Sequence, residues 1–64
     1  MNTLDQNIEV TVYYIQDCNG FKETGAQSGS GRTYSEAVDN AVYYIRTRTK
    51  NSFFISHVNI EKVK

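Results

Sequence analysis

The sequence predicts an α+β domain in which three strands and one helix follow the order ββαβ. Side chains at 8–15 alternate with period two, those at 34–48 repeat apolar types every three or four positions, and 53–63 is rich in β-branched and aromatic types. An Asn-Gly dipeptide between the first two strands predicts a tight hairpin. The 64 residues have room for a single domain, 1–64, in which we expect residues 1–7 to be flexible.

The two strands of the hairpin differ in character. Residues 8–15, IEVTVYYI, alternate β-branched and aromatic side chains as a strand does. Asn19-Gly20 supplies the turn, and the return strand, from Phe21 to about Ser28, is polar and carries Gly25. We expect it at a sheet edge, where a poor strand discourages further pairing. The sequence 28–32, SGSGR, is interpreted as a flexible connector.

The helix is predicted over residues 34–48. Thr33 and Glu36 have the spacing of a capping box, in which the Thr33 hydroxyl accepts from the Glu36 amide and the Glu36 carboxylate reaches back to Thr33. Ser35 is an alternative cap. Arg46 and Arg48 suit the negative end of the helix dipole. The apolar stripe comprises Tyr34, Ala37, Val38, Ala41, Val42, Ile45 and Tyr44.

The element order predicts a two-layer domain with a three-stranded antiparallel sheet of order 2-1-3 and the helix on one face. The expected core comprises Val10, Val12, Tyr14, Phe54, Val58 and Ile60 from the sheet and Val38, Ala41, Val42 and Ile45 from the helix.

One helix cannot cover both faces of a sheet, so the other face should be open to water or to a partner. By strand parity it carries Tyr13, Ile15, Phe53, Ile55 and His57, and an apolar patch of this kind marks an interaction site. The alternative is a parity slip at a bulge that moves some of these residues into the core, because Phe53-Phe54-Ile55 is a run and not an alternation.

The residue types needed for catalysis are scarce. One Cys and one His cannot build a four-ligand zinc site. Cys18 is predicted in the hairpin turn and His57 in mid-strand, which separates a nucleophile from its base. The segment 28–32 lacks the Gly-Lys-Ser/Thr of a phosphate loop. We therefore expect no enzyme, no cofactor and no metal.

Charge and hydropathy narrow the class of partner. Seven basic and seven acidic residues balance, whereas dedicated nucleic-acid binders are basic. Since no run of roughly 18 apolar residues is present, a membrane-spanning segment is not predicted. The amino terminus lacks the pattern of a signal peptide, so we expect a cytoplasmic protein.

Two kinds of binding surface remain. Five Tyr and three Phe favour a protein interface, where aromatic side chains carry much of the binding energy. Basic residues near Tyr43 at the helix end, together with aromatics on an open sheet, are also typical of nucleic-acid-binding modules. The candidate partner-binding residues are Tyr13, Ile15, Tyr43, Arg46, Arg48, Lys50, Phe53, Ile55 and His57.

The chain resembles small inhibitor proteins of phages and mobile elements, among them anti-CRISPR proteins and phage inhibitors of RNA polymerase. The resemblance rests on residues 32–41, RTYSEAVDNA, a capped helix with alanines after a loop, and on residues 57–63, HVNIEKV, a following strand. It implies an inhibitor that occupies a nucleic-acid-handling host complex by surface contact. We accordingly expect stoichiometric occlusion, with a homodimer or a protein partner covering the open face.

Overall fold

The structure is a computed structural model that describes residues 6–64; residues 1–5 of the segment expected to be flexible lie outside the described part. It contains β1 (Ile8–Cys18), β2 (Phe21–Gly31), α1 (Tyr34–Arg48) and β3 (Phe53–Val63). The central strand β1 pairs antiparallel with both neighbours, in the order β2-β1-β3. The predicted α+β fold and strand order are confirmed. Pairing reaches Asn7, whose backbone exchanges hydrogen bonds of 3.1 and 2.8 Å with Lys64.

The hairpin between β1 and β2 forms at the predicted dipeptide. Asn19 and Gly20 have φ of 55° and 93°, which are the positive values that a two-residue hairpin turn needs. The Gly20 amide donates to the Asp17 carboxylate at 3.1 Å. Cys18 and Phe21 form the pair next to the turn, so Cys18 ends a strand and does not lie in the turn itself.

The expected flexible connector at 28–32 is wrong for most of its length, because β2 continues to Gly31. Gly29 and Gly31 lie opposite Val10 and Ile8, on the face that the helix covers. A Cβ at Gly29 would lie 2.6 Å from the Ala41 amide nitrogen. The glycines therefore let the helix backbone approach the strand closely, and Gly29 is fully buried.

The helix begins and ends where the sequence predicts. Thr33 is the cap, and its hydroxyl accepts from the Glu36 amide at 3.1 Å. The Glu36 carboxylate accepts from the Arg32 amide at 2.7 Å, one residue before the expected donor at Thr33. At the other end the Thr49 amide donates to the Ile45 carbonyl at 3.0 Å.

The core lies between the helix and the two strands beneath it. Its buried members are Val10, Val12, Tyr14, Ala37, Ala41 and Ile45, and the half-buried side chains packed against them are Ile8, Val38, Phe53 and Val58. Val42 is also half-buried. Two members of the expected core are wrong, since Phe54 and Ile60 are 58% and 56% exposed.

A bulge in β3 explains the error at Phe54. Tyr13 lies opposite His57 and Tyr14 lies opposite Ile55, so Ser56 is an extra residue. Directly opposed residues share a face, and the extra residue reverses the parity of everything before it. Phe53, and not Phe54, therefore points to the helix side of the sheet.

The helix position explains the error at Ile60. This residue lies opposite Val10 and so does share the helix side of the sheet. The helix, however, packs against β2 and β1 and makes at most marginal contact with β3. A 15-residue helix is also only about 22 Å long against about 36 Å for an 11-residue strand. Apart from Phe53 and Val58, which pack against the core, the helix side of β3 is thus left uncovered.

Candidate binding surfaces

The face of the sheet away from the helix carries an ordered aromatic and aliphatic cluster. Tyr13 and His57 lie opposite each other, and their rings stack at 4.5 Å between centroids with 17° between planes. Ile15 lies opposite Phe54, which is exposed. On the other side of β1, Ala26 lies opposite Tyr13. We call Tyr13, Ile15, Ala26, Phe54 and His57 the open-face cluster.

A shallow concavity of about 390 Å³ is lined by four members of this cluster, Tyr13, Ile15, Ala26 and His57, and does not include Phe54. Ser56 and His57 are its lining residues from β3. The bulge at Ser56 brings both of them to the concavity, because it sets two consecutive residues of β3 against a single residue of β1, Tyr13. The local irregularity of the sheet thus shapes the surface.

Two residues expected on the open face lie on the opposite side of the sheet. Phe53 packs edge-on against Tyr14, with ring centroids 5.8 Å apart and 67° between planes. Ile55 lies opposite Tyr14 and shares its face. Both changes follow from the bulge at Ser56. Tyr13, Ile15 and His57 lie where the strand parity predicts, and Phe54 takes the place expected for Phe53.

The other four candidate residues are called the helix-end group. Tyr43, Arg46 and Arg48 lie in the second half of the helix, and Lys50 follows it. All four are exposed, and the Tyr43 ring meets Tyr44 edge-on at 5.7 Å. The Arg48 guanidinium donates to the Gln27 side chain at 2.6 Å, which holds it on the helix side of the sheet. Since the helix and the open-face cluster lie on opposite sides of the sheet, the helical members of this group do not join that cluster.

A third apolar surface was missed by the sequence reasoning. It runs along the helix side of β3 and comprises Ile55, Val58, Ile60 and Val63, the β3 strip; Val58 is half-buried and the other three are exposed. The sequence analysis did not predict this surface because it assumed that one helix covers one whole face of the three-stranded sheet. The signal was present in the sequence, since β3 carries apolar residues at both parities and cannot bury them all under one helix.

Cys18 and His57 do not form a nucleophile and base. His57 lies opposite Tyr13, five residues along β1 from Cys18, which is about 16 Å. The Cys18 thiol donates to the Glu23 carboxylate at 3.4 Å and accepts from the side-chain amide of Asn51 at 3.3 Å. Partial desolvation, followed by the hydrogen bond and the negative charge of Glu23, raises the pKa of this thiol. The reactive thiolate is therefore disfavoured.

Within residues 6–64, no three His, Cys, Asp or Glu side chains come together as a metal site would require. The helix is too short and too polar to cross a membrane, and the described part of the chain has no other. No family model, curated protein or solved structure matches this chain significantly.

Proposed function

We propose that this protein is a non-catalytic binding protein that acts by stoichiometric occlusion of a protein partner, with the open-face cluster as its contact surface. The observation that carries the proposal is the stacked pair Tyr13–His57, held in place beside exposed Phe54 on a sheet face that the helix does not cover. Exposed aromatic side chains ordered before binding lose little entropy on contact, which is why they dominate interface energies.

The shape of the cluster favours a protein over a small ligand. Small-molecule sites enclose most of the ligand and orient it with a few convergent polar groups. Here the concavity is open on one side, and its lining, which includes Tyr13, Ile15 and Ala26, is mainly apolar. Such a surface accepts a protruding apolar side chain of a partner, while the surrounding sheet face excludes water around it.

The kind of partner follows from the resemblance to phage and mobile-element inhibitors. We infer that the target belongs to a nucleic-acid-handling complex of the host and that inhibition results from covering its surface. The separation of Cys18 from His57 is also consistent with the inhibitor hypothesis, because occlusion needs no nucleophile and no general base.

A nucleic-acid-binding module is the second candidate, favoured by the same stacked aromatics on an open sheet. The sequence-based version of this candidate combined the open face with the basic helix end. Arg48, however, is held on the helix side through Gln27, so one strand of nucleic acid lying on the open-face cluster would not reach it. We therefore favour the protein partner.

Affinity capture from an extract of the source cells, followed by mass spectrometry, tests the proposal. The wild type should recover one protein complex in a fixed ratio. Phe54→Ala should lose it, because truncation at an interface hot spot costs about 2 kcal/mol, or roughly thirty-fold in affinity. Phe21→Ala is the matched control, since Phe21 is 75% exposed and lies at the hairpin.

The control outcomes separate the two candidates. Capture retained by Phe54→Ala at wild-type strength would remove the open-face cluster from the contact surface. Recovery of bulk nucleic acid that is lost at high salt would contradict the protein partner and support the nucleic-acid module.

A further inference from the structure

The outer edge of β3 combines three features that monomeric proteins avoid. It is 11 residues long, it contains no proline, and its helix side carries the β3 strip, three of whose four residues are exposed. Its only charged residues, Glu61 and Lys62, are of opposite sign and adjacent. Long apolar edges invite pairing with another strand, whereas prolines and like charges prevent it. The other edge, β2, is polar and rich in glycine, as a protected edge is.

We propose that β3 pairs antiparallel with β3 of a second copy of this chain, around a two-fold axis at Asn59. The product is a six-stranded sheet in the order β2-β1-β3-β3-β1-β2. The contact is isologous, so each residue at position i must face residue 118 − i of the partner, and every such pair must share a face.

The pattern of faces along β3 meets this requirement. Ile55 and Val63 both lie on the helix side, and so do Val58 and Ile60, as their β1 partners show. The axis at Asn59 therefore sets the whole β3 strip against itself, Ile55 against Val63 and Val58 against Ile60. These are cross-strand apolar pairs, which stabilise a sheet.

The two bulges of β3 also match under this axis. The bulged dipeptides are Ser56-His57 and Glu61-Lys62, since Ser56 and Glu61 have no partner on β1. With the axis at Asn59, Ser56 faces Lys62 and His57 faces Glu61. A strand without these two bulges would alternate its side chains regularly, so its faces would no longer match those of β3 beyond each bulge. A second copy carries both at the required spacing, which is why we commit to it as the partner.

No like charges are opposed in the same register. Glu61 of one chain faces His57 of the other, and Lys62 faces the uncharged Ser56. The remaining charge, Lys64, faces the ring of Phe54, an arrangement that suits a cation over an aromatic side chain. Each of these contacts occurs twice in the dimer.

The dimer leaves the open-face cluster free. A two-fold axis perpendicular to the sheet places both helices on one side and both open-face clusters on the other. The inference does not rest on the proposed function, but it adds to it a bivalent surface with two copies of the Tyr13–His57 stack.

Disulfide trapping tests the register. In a Cys18→Ser background, Asn59→Cys should form a covalent dimer under mild oxidation, because directly opposed residues of antiparallel strands have Cα atoms about 4.5–5.5 Å apart, within disulfide range. Ser28→Cys is the matched control: Ser28 and Asn59 both lie opposite Thr11, at the same level on the two edges of the sheet. It should remain monomeric on a reducing-agent-free gel.

Sedimentation tests the association itself. At micromolar concentration the wild type should sediment at about twice the 7.3 kDa of one chain. Ile60→Lys should sediment as a monomer with an unchanged circular dichroism spectrum, because Ile60 is exposed within one chain. Phe21→Lys adds the same charge away from β3 and should stay dimeric. A monomeric wild type, a dimeric Ile60→Lys, or equal cross-linking at Asn59 and Ser28 would overturn the proposal.

Discussion

Gly29→Ala should destabilise the protein, because this substitution adds a methyl group where the helix touches β2. An ideal Cβ at this position would lie 2.6 Å from the Ala41 amide nitrogen and 2.7 Å from the Ala41 Cβ. Carbon contacts are favourable only at about 3.5–4.0 Å. Because the amide nitrogen is a backbone atom, no rotamer change relieves the overlap, and the helix must move outward by roughly 1 Å.

Overpacking of this kind costs about 1–3 kcal/mol of unfolding free energy. A domain of this size has about 3–10 kcal/mol in total, so the loss is large. The midpoint of thermal unfolding, followed by circular dichroism, should fall by about 4–8 °C for each kcal/mol. Urea titration at 25 °C gives the free energy directly.

Two further variants make the test specific. Ser28→Thr adds one methyl group to the same strand on the exposed face, and it should change the unfolding free energy by no more than about 0.5 kcal/mol. Ala41→Gly removes the opposing Cβ, at a helix cost of about 1 kcal/mol. Combined with Gly29→Ala, it should destabilise by less than the sum of the two single changes. If Gly29→Ala were as stable as Ser28→Thr, close helix–strand contact would not be the reason for the glycine.

Three other predictions follow from individual contacts. Thr33→Ala should lower the unfolding free energy by about 1 kcal/mol in a urea titration, because an amide in the first turn of the helix loses its acceptor; an unchanged midpoint would contradict the cap. Phe53→Ala should lower the unfolding free energy by about 2 kcal/mol in the same titration, whereas Phe54→Ala should lower it by well under half of that, since only the Phe53 ring packs against the core. Equal losses for the two variants would contradict these positions of the rings. Alkylation of Cys18 by iodoacetamide should be slow at neutral pH and accelerate as the pH rises, since its raised pKa keeps it protonated, and Glu23→Gln should speed it at fixed pH; identical rates would exclude the Glu23 contact.

Local signals predicted the turn and the helix because each depends on a few adjacent residues. Asn19-Gly20 has the backbone freedom that the hairpin needs, and the observed positive φ values agree. Thr33, and not the alternative Ser35, is the cap, and its hydroxyl accepts from the Glu36 amide. The alternation in β1 also predicted correctly which of its residues face the helix. This agreement holds because β1 pairs with β2 in a single register over its whole length.

The errors arose where tertiary contact decides the structure. Gly29 and Gly31 have the composition of a flexible loop, but they pair with β1 as part of β2 and lie in close contact with the helix. The run Phe53-Phe54-Ile55 leaves strand parity undetermined from the sequence. The bulge at Ser56 matches the alternative of a parity slip, because it places Phe53 against the core. The open-face cluster was thus predicted in part, with Phe53 in the place of Phe54.

Stoichiometric titration of the captured target's activity tests the central claim, occlusion without turnover, most directly. Inhibition should rise linearly with added protein and be complete when one open-face cluster is present per target. It should not increase further on prolonged incubation. His57→Phe should inhibit to the same endpoint, because it keeps an aromatic ring over Tyr13 and removes the imidazole. Inhibition by substoichiometric protein that progresses with time, and is lost in His57→Phe, would contradict occlusion and assign a chemical role to His57.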